Sequence, residues 1–258
     1  MARIKSLPSF NWRGWVIPVL FILLWALASW QHWLNPKLIP APSAVLHVGW
    51  QQLFTAAFWQ GVGASLLRDL SGFAIGSFLG IAFGILIGVS RWASYLLAPS
   101  FNVLRQVSLF AWLPLISTFL DYGNSAKVLF ITLSVFYPVA LHTLAGVNAI
   151  PVQQYEVARV YQFSPWQLLR KLILPAAAPQ IFVGLQLGLI FAWLATIGSE
   201  FLLASYGVGL GNIVINGRAA QDVGLIVFGL LSIGIIGVGL NSVAVYLERR
   251  WLVWRQQG

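Results

Sequence analysis

Long apolar runs separated by short polar segments dominate the pattern of this 258-residue chain. Each run is about 20 residues long and carries few charges, which is the length that an α-helix needs to cross the hydrocarbon core of a bilayer. Six runs are predicted to be transmembrane helices: Trp15–Trp33, Leu70–Val89, Leu96–Leu120, Ala126–Ile150, Gln180–Leu203 and Val223–Leu247. The pattern therefore predicts an all-α integral membrane protein with about six transmembrane helices.

The first run and the residues after it are predicted to form an N-terminal anchor helix and an external linker over residues 1–60, followed by a core membrane domain over residues 61–258. The linker is predicted from the proline-rich stretch Asn35–Pro42, because proline lacks the backbone donor that helices use. Basic residues before the run and the triplet Ala26–Ala28 also fit a signal peptide. A retained anchor is favoured by an interfacial belt of tryptophans, Trp25, Trp30 and Trp33.

Prolines and glycines mark three of the runs. Pro99 and Pro114 interrupt the third run and Pro138 interrupts the fourth, which predicts kinks. Broken helices are tolerated at membrane depth mainly where they are buried in protein or line a cavity, so both runs are candidate walls of a solute pathway. The second run has glycine at every fourth position, which predicts close helix packing, or else a face that slides or dimerises during gating. These glycines are Gly72, Gly76, Gly80, Gly84 and Gly88.

A polar island interrupts the apolar pattern at Tyr155–Pro179. Within it, Glu156, Arg159 and Gln162 recur at helical spacing, which predicts a helix that faces water. We refer to residues 151–178 as the bracket. The bracket is predicted to lie along the membrane face, where it could grip a partner outside the bilayer.

Two short helices are predicted within the bracket, Gln153–Phe163 and Pro165–Leu172. Ser164 followed by a proline matches a helix N-cap with proline in the first turn. Leu174 and Pro175 are expected to end the second helix, because a proline disfavours helix in the residue that precedes it.

Composition agrees with a membrane protein, because 59% of the residues are hydrophobic and only 8% are charged. The net charge of +9 alone could indicate a nucleic-acid partner. The 15 lysines and arginines are nevertheless spread at the ends of the apolar runs, which fits membrane orientation and not nucleic-acid binding. The chain has no cysteine, which excludes disulfides, thiolate metal ligands and a cysteine nucleophile.

The cations also predict an orientation. With a cytoplasmic N-terminus, the inside loops hold Arg3, Lys5, Arg13, Arg91, Arg159, Arg170, Lys171, Arg249, Arg250 and Arg255. The outside loops hold Lys37, Arg68, Lys127 and Arg218. Because cytoplasmic loops are rich in lysine and arginine, both termini and the bracket are predicted to be cytoplasmic.

The bracket resembles the EAA loop of the permease subunits of bacterial ABC importers, which runs from a Glu-Ala-Ala triplet through a glycine to an Ile-x-Leu-Pro end. Glu156 and Ala158 match the triplet, and Leu174 and Pro175 match the end. Arg159 lies between the residues that match the triplet and those that match the end. Val157 replaces an alanine and Gln162 replaces the glycine, so the turn between the two helices could differ.

Further stretches resemble one branch of these permeases, which serves aliphatic sulfonates, taurine, nitrate or bicarbonate. They are PSAVL at Pro42–Leu46, GFAIGSFLGIAFGILIG from Gly72, LRQVSLFAWLPL from Leu104, NSAK at Asn124–Lys127, FYPVALHTLAGV from Phe136, PQIFVGLQLGLIFAWL from Pro179 and the ending LERRWLVWR. The resemblance extends over about residues 40–255. Departures at Leu120–Asn124 and at Val107 and Ser108 bear on the solute more than on the fold.

The resemblance implies a type I ABC importer permease in the bacterial inner membrane. Such a subunit pairs with a second copy, binds two cytoplasmic ATPase subunits through the bracket and receives solute from a periplasmic binding protein. The partner ATPase uses the ATP and Mg, so this chain itself is expected to bind no cofactor and to be no enzyme. The branch implies a small anionic solute moved by alternating access.

Polar residues within the runs are candidates for the solute pathway, because charges inside a bilayer are costly and mark functional sites. The candidates within the runs are Arg105, His142 and Glu200, and Arg218 in the predicted outside loop is a fourth. Arg105 also fits a structural role, and His142 fits packing. Glu200 is expected to cap, to pair with Arg218 or to border the pathway. Asp69 is expected at a helix start, where its charge suits the helix dipole.

Two other classes of function are weighed against an importer permease. A secondary transporter would show internal repeats and midplane charges that couple to an ion, and neither is evident. A membrane enzyme would need convergent acid, base or metal-binding residues, but no Walker A loop or metal-binding cluster is evident, and the histidines lie far apart in sequence. These histidines are His32, His47 and His142.

Overall fold

A computed structural model of the protein describes residues 13–31, 33, 35, 38–203 and 208–251. These residues form eleven α-helices and no β-strand, which confirms the all-α prediction. The helices are α1 (Arg13–Trp30), α2 (Pro42–Leu53), α3 (Ala56–Val89), α4 (Arg91–Leu104), α5 (Leu113–Leu120), α6 (Asn124–Asn148), α7 (Val152–Val160), α8 (Pro165–Leu168), α9 (Leu174–Leu202), α10 (Leu210–Ala219) and α11 (Val223–Trp251). The predicted cations Arg3, Lys5, Lys37 and Arg255, and His32, lie outside the described residues.

Four helical stretches in the described residues are long and apolar enough to span a membrane: Ala56–Val89, Asn124–Asn148, Pro165–Leu202 and Val223–Tyr246. A fifth span is possible if α4 and the stretch Leu109–Leu120 count together. The first predicted run provides a shorter apolar helix, Val16–Trp30. The predicted membrane class is thus confirmed, with four or five long spans and one shorter helix in place of six equal ones.

The third predicted run is not one kinked helix. Its two halves meet at 93°, with a short 3-10 helix, Leu109–Trp112, before α5. Pro114 lies in the first turn of α5, where the missing backbone donor loses no helical hydrogen bond. Pro99 lies inside α4. The break therefore falls between the two prolines and leaves Arg105 at the C-cap of α4.

The second predicted run begins much earlier than expected, at Ala56 and not at Leu70. Arg68 and Asp69 consequently lie inside α3, and both side chains are buried. The expectation that Asp69 stands at a helix start is wrong. Likewise, Arg68 and Lys127 are buried helical residues and not loop cations, and Arg218 lies in the last turn of α10.

The core of the membrane region is formed by α3, α6 and α9. Every glycine of the predicted ladder faces α6; a Cβ on Gly76, for example, would stand 2.6 Å from the carbonyl oxygen of Thr132. The other four meet α6 in the same way, at Ile131, Val139, Thr143 and Val147. Close packing within one chain explains this ladder, because only glycine lets the two backbones approach so far.

Two compact units divide the chain. One contains Met1–Thr55 with Ile213–Leu231, and the other contains Ala56–Asn212 with Ser232–Gly258. All of the sites discussed below, except Arg218, lie in the second unit.

Candidate functional site

The bracket begins with α7 and turns at Tyr161–Ser164 into α8. Ser164 is the N-cap predicted from the sequence: its Oγ accepts a hydrogen bond from the backbone N–H of Gln167 at 3.3 Å. In return, the Oε1 of Gln167 accepts one from the backbone N–H of Ser164 at 3.0 Å. This reciprocal capping box satisfies two backbone donors that would otherwise be free at the helix start.

Gln162 has a φ of 51°, in the left-handed region. The N–H of Gln162 donates to the carbonyl of Arg159, and the N–H of Phe163 donates to the carbonyl of Ala158. These two bonds form a Schellman motif, whose left-handed position is usually occupied by glycine. Gln162 therefore makes the same turn that a glycine would make, and it does so with some backbone strain.

The second helix of the bracket does not end at Leu174 and Pro175, so that prediction is wrong. A π-helical turn, Leu169–Ile173, joins α8 to α9, and Pro165–Leu202 runs as one helix of 38 residues. Pro175 lies in the first turn of α9. The wider π turn accommodates a residue without a backbone donor, so the helix continues through the proline.

The surface of the bracket combines charged and apolar side chains. Glu156 and Arg159 are exposed, whereas Ala158 is buried against the rest of the bracket. Large apolar side chains are also exposed on it, namely Val157, Val160, Tyr161 and Trp166. A shallow cavity of about 280 Å³ lies nearby, lined by Gln153, Gln154, Val157, Ala158, Phe163, Lys171 and Leu172. Leu174 is half-buried and Pro175 is exposed. A surface with these properties suits contact with another protein.

A second polar site lies at the other end of α9. Glu200 is fully buried and forms an ion pair with Arg68, whose Nη1 lies 2.5 Å from Oε1 of Glu200. The Nε of Arg68 donates to Oδ1 of Asn124 at 2.8 Å. Glu200 thus pairs with Arg68, and the predicted pairing with Arg218 is wrong. The ion pair ties α3 to α9, and the bond to Asn124 ties α3 to α6.

Two further charges accompany this pair. Asp69 is fully buried; its Oδ1 accepts a hydrogen bond from Thr196 at 2.9 Å, while its Oδ2 has no partner. Lys127 is only 2% exposed and interacts electrostatically with both Arg68 and Glu200. We call Arg68, Asp69, Lys127 and Glu200 the buried charge cluster. Its two cations and two carboxylates balance, which reduces the cost of their burial.

The buried charge cluster also holds the backbone of Val208–Gly211, here named the tethered segment. Arg68 donates to the carbonyl of Val208, and the N–H of Gly211 donates to Oε2 of Glu200 at 2.7 Å. Ser65 accepts from the N–H of Leu210 at 2.9 Å and donates to Glu200 at 2.6 Å. The segment is therefore bonded through its main chain.

The other predicted pathway residues are not gathered at this cluster. Arg105 is exposed at the bend between α4 and the 3-10 helix. His142 is half-buried in α6, and its Nδ1 lies 3.5 Å from Oε1 of Gln180. Arg218 is exposed in the last turn of α10. Among the described residues no group of three potential metal ligands occurs.

Sequence reasoning missed Arg68, Asp69 and Lys127 as members of one site. Arg68 and Glu200 are separated by 132 positions, and nothing local in the chain links them. One available signal was the apolar stretch Phe58–Leu67, which extends the second run toward the N-terminus and would have placed Arg68 inside a helix.

Comparison with known proteins gives a consistent result. Residues 76–253 match the family described as binding-protein-dependent transport system inner membrane components. The chain is 33% identical over 240 residues to SsuC of Escherichia coli, named as an aliphatic sulfonates transport permease, covering 93% of this chain and 90% of that protein.

Two cyanobacterial proteins are also similar. The chain is 34% identical over 196 residues to the bicarbonate transport system permease protein CmpB of Synechococcus elongatus, covering 76% of this chain and 69% of CmpB. It is 31% identical over 219 residues to the nitrate import permease protein NrtB of Synechocystis sp., covering 81% of this chain and 79% of NrtB.

Among solved structures, an inward-facing form of the MetNI methionine ABC transporter has a chain that superposes with a TM-score of 0.65 at 19% identity. The match covers 75% of this chain and 95% of that chain. This similarity confirms the predicted permease fold.

Proposed function

This chain belongs to the family of binding-protein-dependent transport system inner membrane components, and we propose that it is the permease subunit of an ATP-driven importer for a small anion. In this proposal the subunit moves its solute by alternating access, pairs with a second copy and receives solute from an external binding protein. Two ATPase subunits on the cytoplasmic side hydrolyse ATP with Mg.

The observation that carries the proposal is the bracket, a capped two-helix segment within a chain that matches this family. Its exposed Glu156 and Arg159 lie among exposed apolar side chains, as expected of a surface that docks a partner. The capping box and the Schellman motif fix the angle between its two helices, so the docking surface has a defined shape before a partner binds.

A cytoplasmic position of the bracket is supported by its charge. Arg159, Arg170 and Lys171 are concentrated at this end of α9, whereas Arg68 and Lys127 at the opposite end are buried. The 29 residues of α9 separate the two ends by about 43 Å, roughly the thickness of a bilayer. Because positive residues favour the cytoplasmic side, we propose that the tethered segment lies on the outer side and both chain termini on the inner side.

We place the solute pathway beside the bend between α4 and α5. An irregular backbone at membrane depth must be covered by protein or face water. Arg105 stands at this bend and forms no ion pair among the described residues, so it can attract an anion that passes. Relatives named for sulfonates, bicarbonate and nitrate support the anionic class, and taurine stays a candidate.

The test is reconstitution of the chain with its ATPase and its own binding protein in lipid vesicles. We expect ATP hydrolysis to rise with a sulfonate, taurine, nitrate or bicarbonate, and not with cationic amines. Stimulation by amines or neutral amino acids alone would refute the anionic class and retain the importer. Uptake driven by an ion gradient without ATP would instead identify a secondary transporter.

A further inference from the structure

The tethered segment leads into the first turn of α10, which begins at Leu210, and it is bonded to neighbouring side chains through its main chain. Three of its main-chain groups bond to side chains of the cluster region: the carbonyl of Val208 and the N–H groups of Leu210 and Gly211. Leu210 is fully buried, while Val208 beside it is 49% exposed. The segment therefore covers Glu200 and is attached by hydrogen bonds that can break and form again.

We propose that Arg68 and Glu200 are positioning residues of the outer gate, which hold the tethered segment closed at rest and release it in each transport cycle. On release, Glu200 exchanges Arg68 for Lys127 as its charged partner. This inference rests on the proposed function, because only an alternating-access transporter needs an outer gate.

Stability alone does not account for this arrangement. Burying an ion pair removes two charges from water, and well-packed apolar residues of similar volume usually stabilise a protein as well or better. The buried charge cluster also contains more charge than one pair requires. Additional charged groups allow an ion pair to exchange partners between two conformational states.

Lys127 provides the second state. It is repelled by Arg68 and attracted by Glu200, and it forms no ion pair with Glu200 within 4.0 Å. Asp69 is next to Arg68 in α3 and has one buried oxygen, Oδ2, without a hydrogen-bond partner. A shift of the Arg68 guanidinium away from Glu200 would leave Glu200 to Lys127, so the Glu200 carboxylate would keep a cationic partner.

The close fit of the tethered segment shows why only one closed position exists. A Cβ on Gly209 would lie 2.5 Å from the carboxyl carbon of Glu200, and one on Gly211 would lie 2.8 Å from its Cβ. A Cβ on Gly61 of α3 would lie 3.4 Å from the carbonyl carbon of Gly209, which is an ordinary contact. The glycines let the backbone reach the carboxylate directly, so the segment either seats fully or does not seat.

Cysteine labelling tests whether the segment opens, since the chain contains no other cysteine. Leu210→Cys would be placed in the complex with its ATPase and binding protein, in lipid nanodiscs that expose both membrane faces. A maleimide reagent should react slowly at rest and about tenfold faster after trapping with ATP, Mg and vanadate, if the open state is rare at rest. Val208→Cys, which is exposed at rest, should react rapidly in both states.

An unchanged labelling rate of Leu210→Cys, in a complex that still traps nucleotide, would overturn the proposal. Rapid labelling of Leu210→Cys at rest could result from the loss of its buried side chain. Ser65→Cys, a near-isosteric change at the same contact, separates the two explanations. Rapid labelling of both variants at rest would count against a closed resting gate.

A second measurement uses Glu200→Gln, which keeps the shape of the side chain but removes its charge. ATP hydrolysis without binding protein should rise about fivefold while uptake per ATP falls, because the closed position is weakened. Glu248→Gln is the matched control, since Glu248 bonds to Gln186, about four turns of α9 away from Glu200. Lys127→Gln should slow uptake and leave the resting labelling of Leu210→Cys unchanged, whereas Lys127→Arg should restore uptake.

The failures of the two proposals are distinguishable. A complex that never binds an ATPase would refute the importer itself. A complex with normal stimulation by binding protein, in which neither Glu200→Gln nor Lys127→Gln changes the ratio of uptake to hydrolysis, would refute only the gate.

Discussion

Arg68 and Arg105 are both arginines within apolar stretches, but the structure treats them in opposite ways. Arg68 is 6% exposed and uses three nitrogens to bond Glu200, Asn124 and the tethered segment. Arg105 is exposed at a bend and forms no ion pair among the described residues. A membrane protein keeps a charge at such depth either by neutralising it or by giving it access to water and solute. The first arginine is therefore held by protein contacts, and the second is exposed, as the proposed solute pathway requires.

The largest expected effect is that of Arg68→Ala. Removing one partner of a buried ion pair leaves the other charge uncompensated, and we expect a loss of about 3–5 kcal/mol of stability. Thermal unfolding in detergent and the amount of protein in the membrane measure this loss. Arg91→Ala, at an exposed position of α4, is the matched control. If Arg68→Ala proved no less stable than Arg91→Ala, the contrast between the two arginines would disappear.

Arg105→Gln should leave stability unchanged and weaken handling of the anion. We expect the KM for uptake of the stimulating anion to rise about tenfold, as for loss of one charged contact with a ligand. Arg105→Lys should raise the KM less than Arg105→Gln does, because lysine keeps the positive charge. Arg91→Gln is again the control. A fall in unfolding temperature with an unchanged KM would assign Arg105 a structural role like that of Arg68.

Glu156→Lys extends the comparison to an exposed charge of opposite sign on the bracket. The protein should fold normally, while copurification of the ATPase or uptake per ATP falls about fivefold, because the charge is reversed at a docking surface. Asp121→Lys makes the same change of charge in the loop before α6, at the opposite end of that helix from the bracket, and should not affect ATPase binding. Normal copurification and uptake in Glu156→Lys would show that this carboxylate is merely solvated.

The smallest expected effect is a gain in stability. Gln162→Gly removes the left-handed strain at the turn of the bracket and should raise the free energy of unfolding by roughly 0.5–1 kcal/mol. Gln154→Gly, at an exposed position inside α7, should instead lower it, because glycine weakens a helix interior. If Gln162→Gly and Gln154→Gly lowered the free energy of unfolding equally, the side chain of Gln162 would be stabilised by contacts that outweigh its backbone strain.

The sequence predicted those structural features that depend on residues close together in the chain. The apolar runs gave the membrane class, and Ser164 with Gln167 three residues later gave a helix start that the structure reproduces. The glycine spacing from Gly72 predicted close packing, and every one of those glycines meets α6. In each case the information lies within a few turns of one helix.

Some misses depend on distant residues and others on local geometry that the residue types do not specify. Arg68 and Asp69 are buried inside α3 with partners on α6 and α9, and no local pattern shows those partners. Proline was expected to stop a helix at Pro175, but a π turn two residues earlier changes which carbonyls its ring meets. The sequence marked the third run as broken, yet nothing in it specified an angle of 93°.

The continuity of Pro165–Leu202 has a mechanical consequence. A helix of 38 residues is about 57 Å long, with a short arm in the bracket and a long arm that ends beyond Glu200. If the helix turns as one body, a tilt of about 5° at the bracket displaces the far end by roughly 5 Å over that length. Such a displacement exceeds the length of any hydrogen bond that holds the tethered segment. Movement of the bracket can therefore reach the tethered segment through one continuous helix.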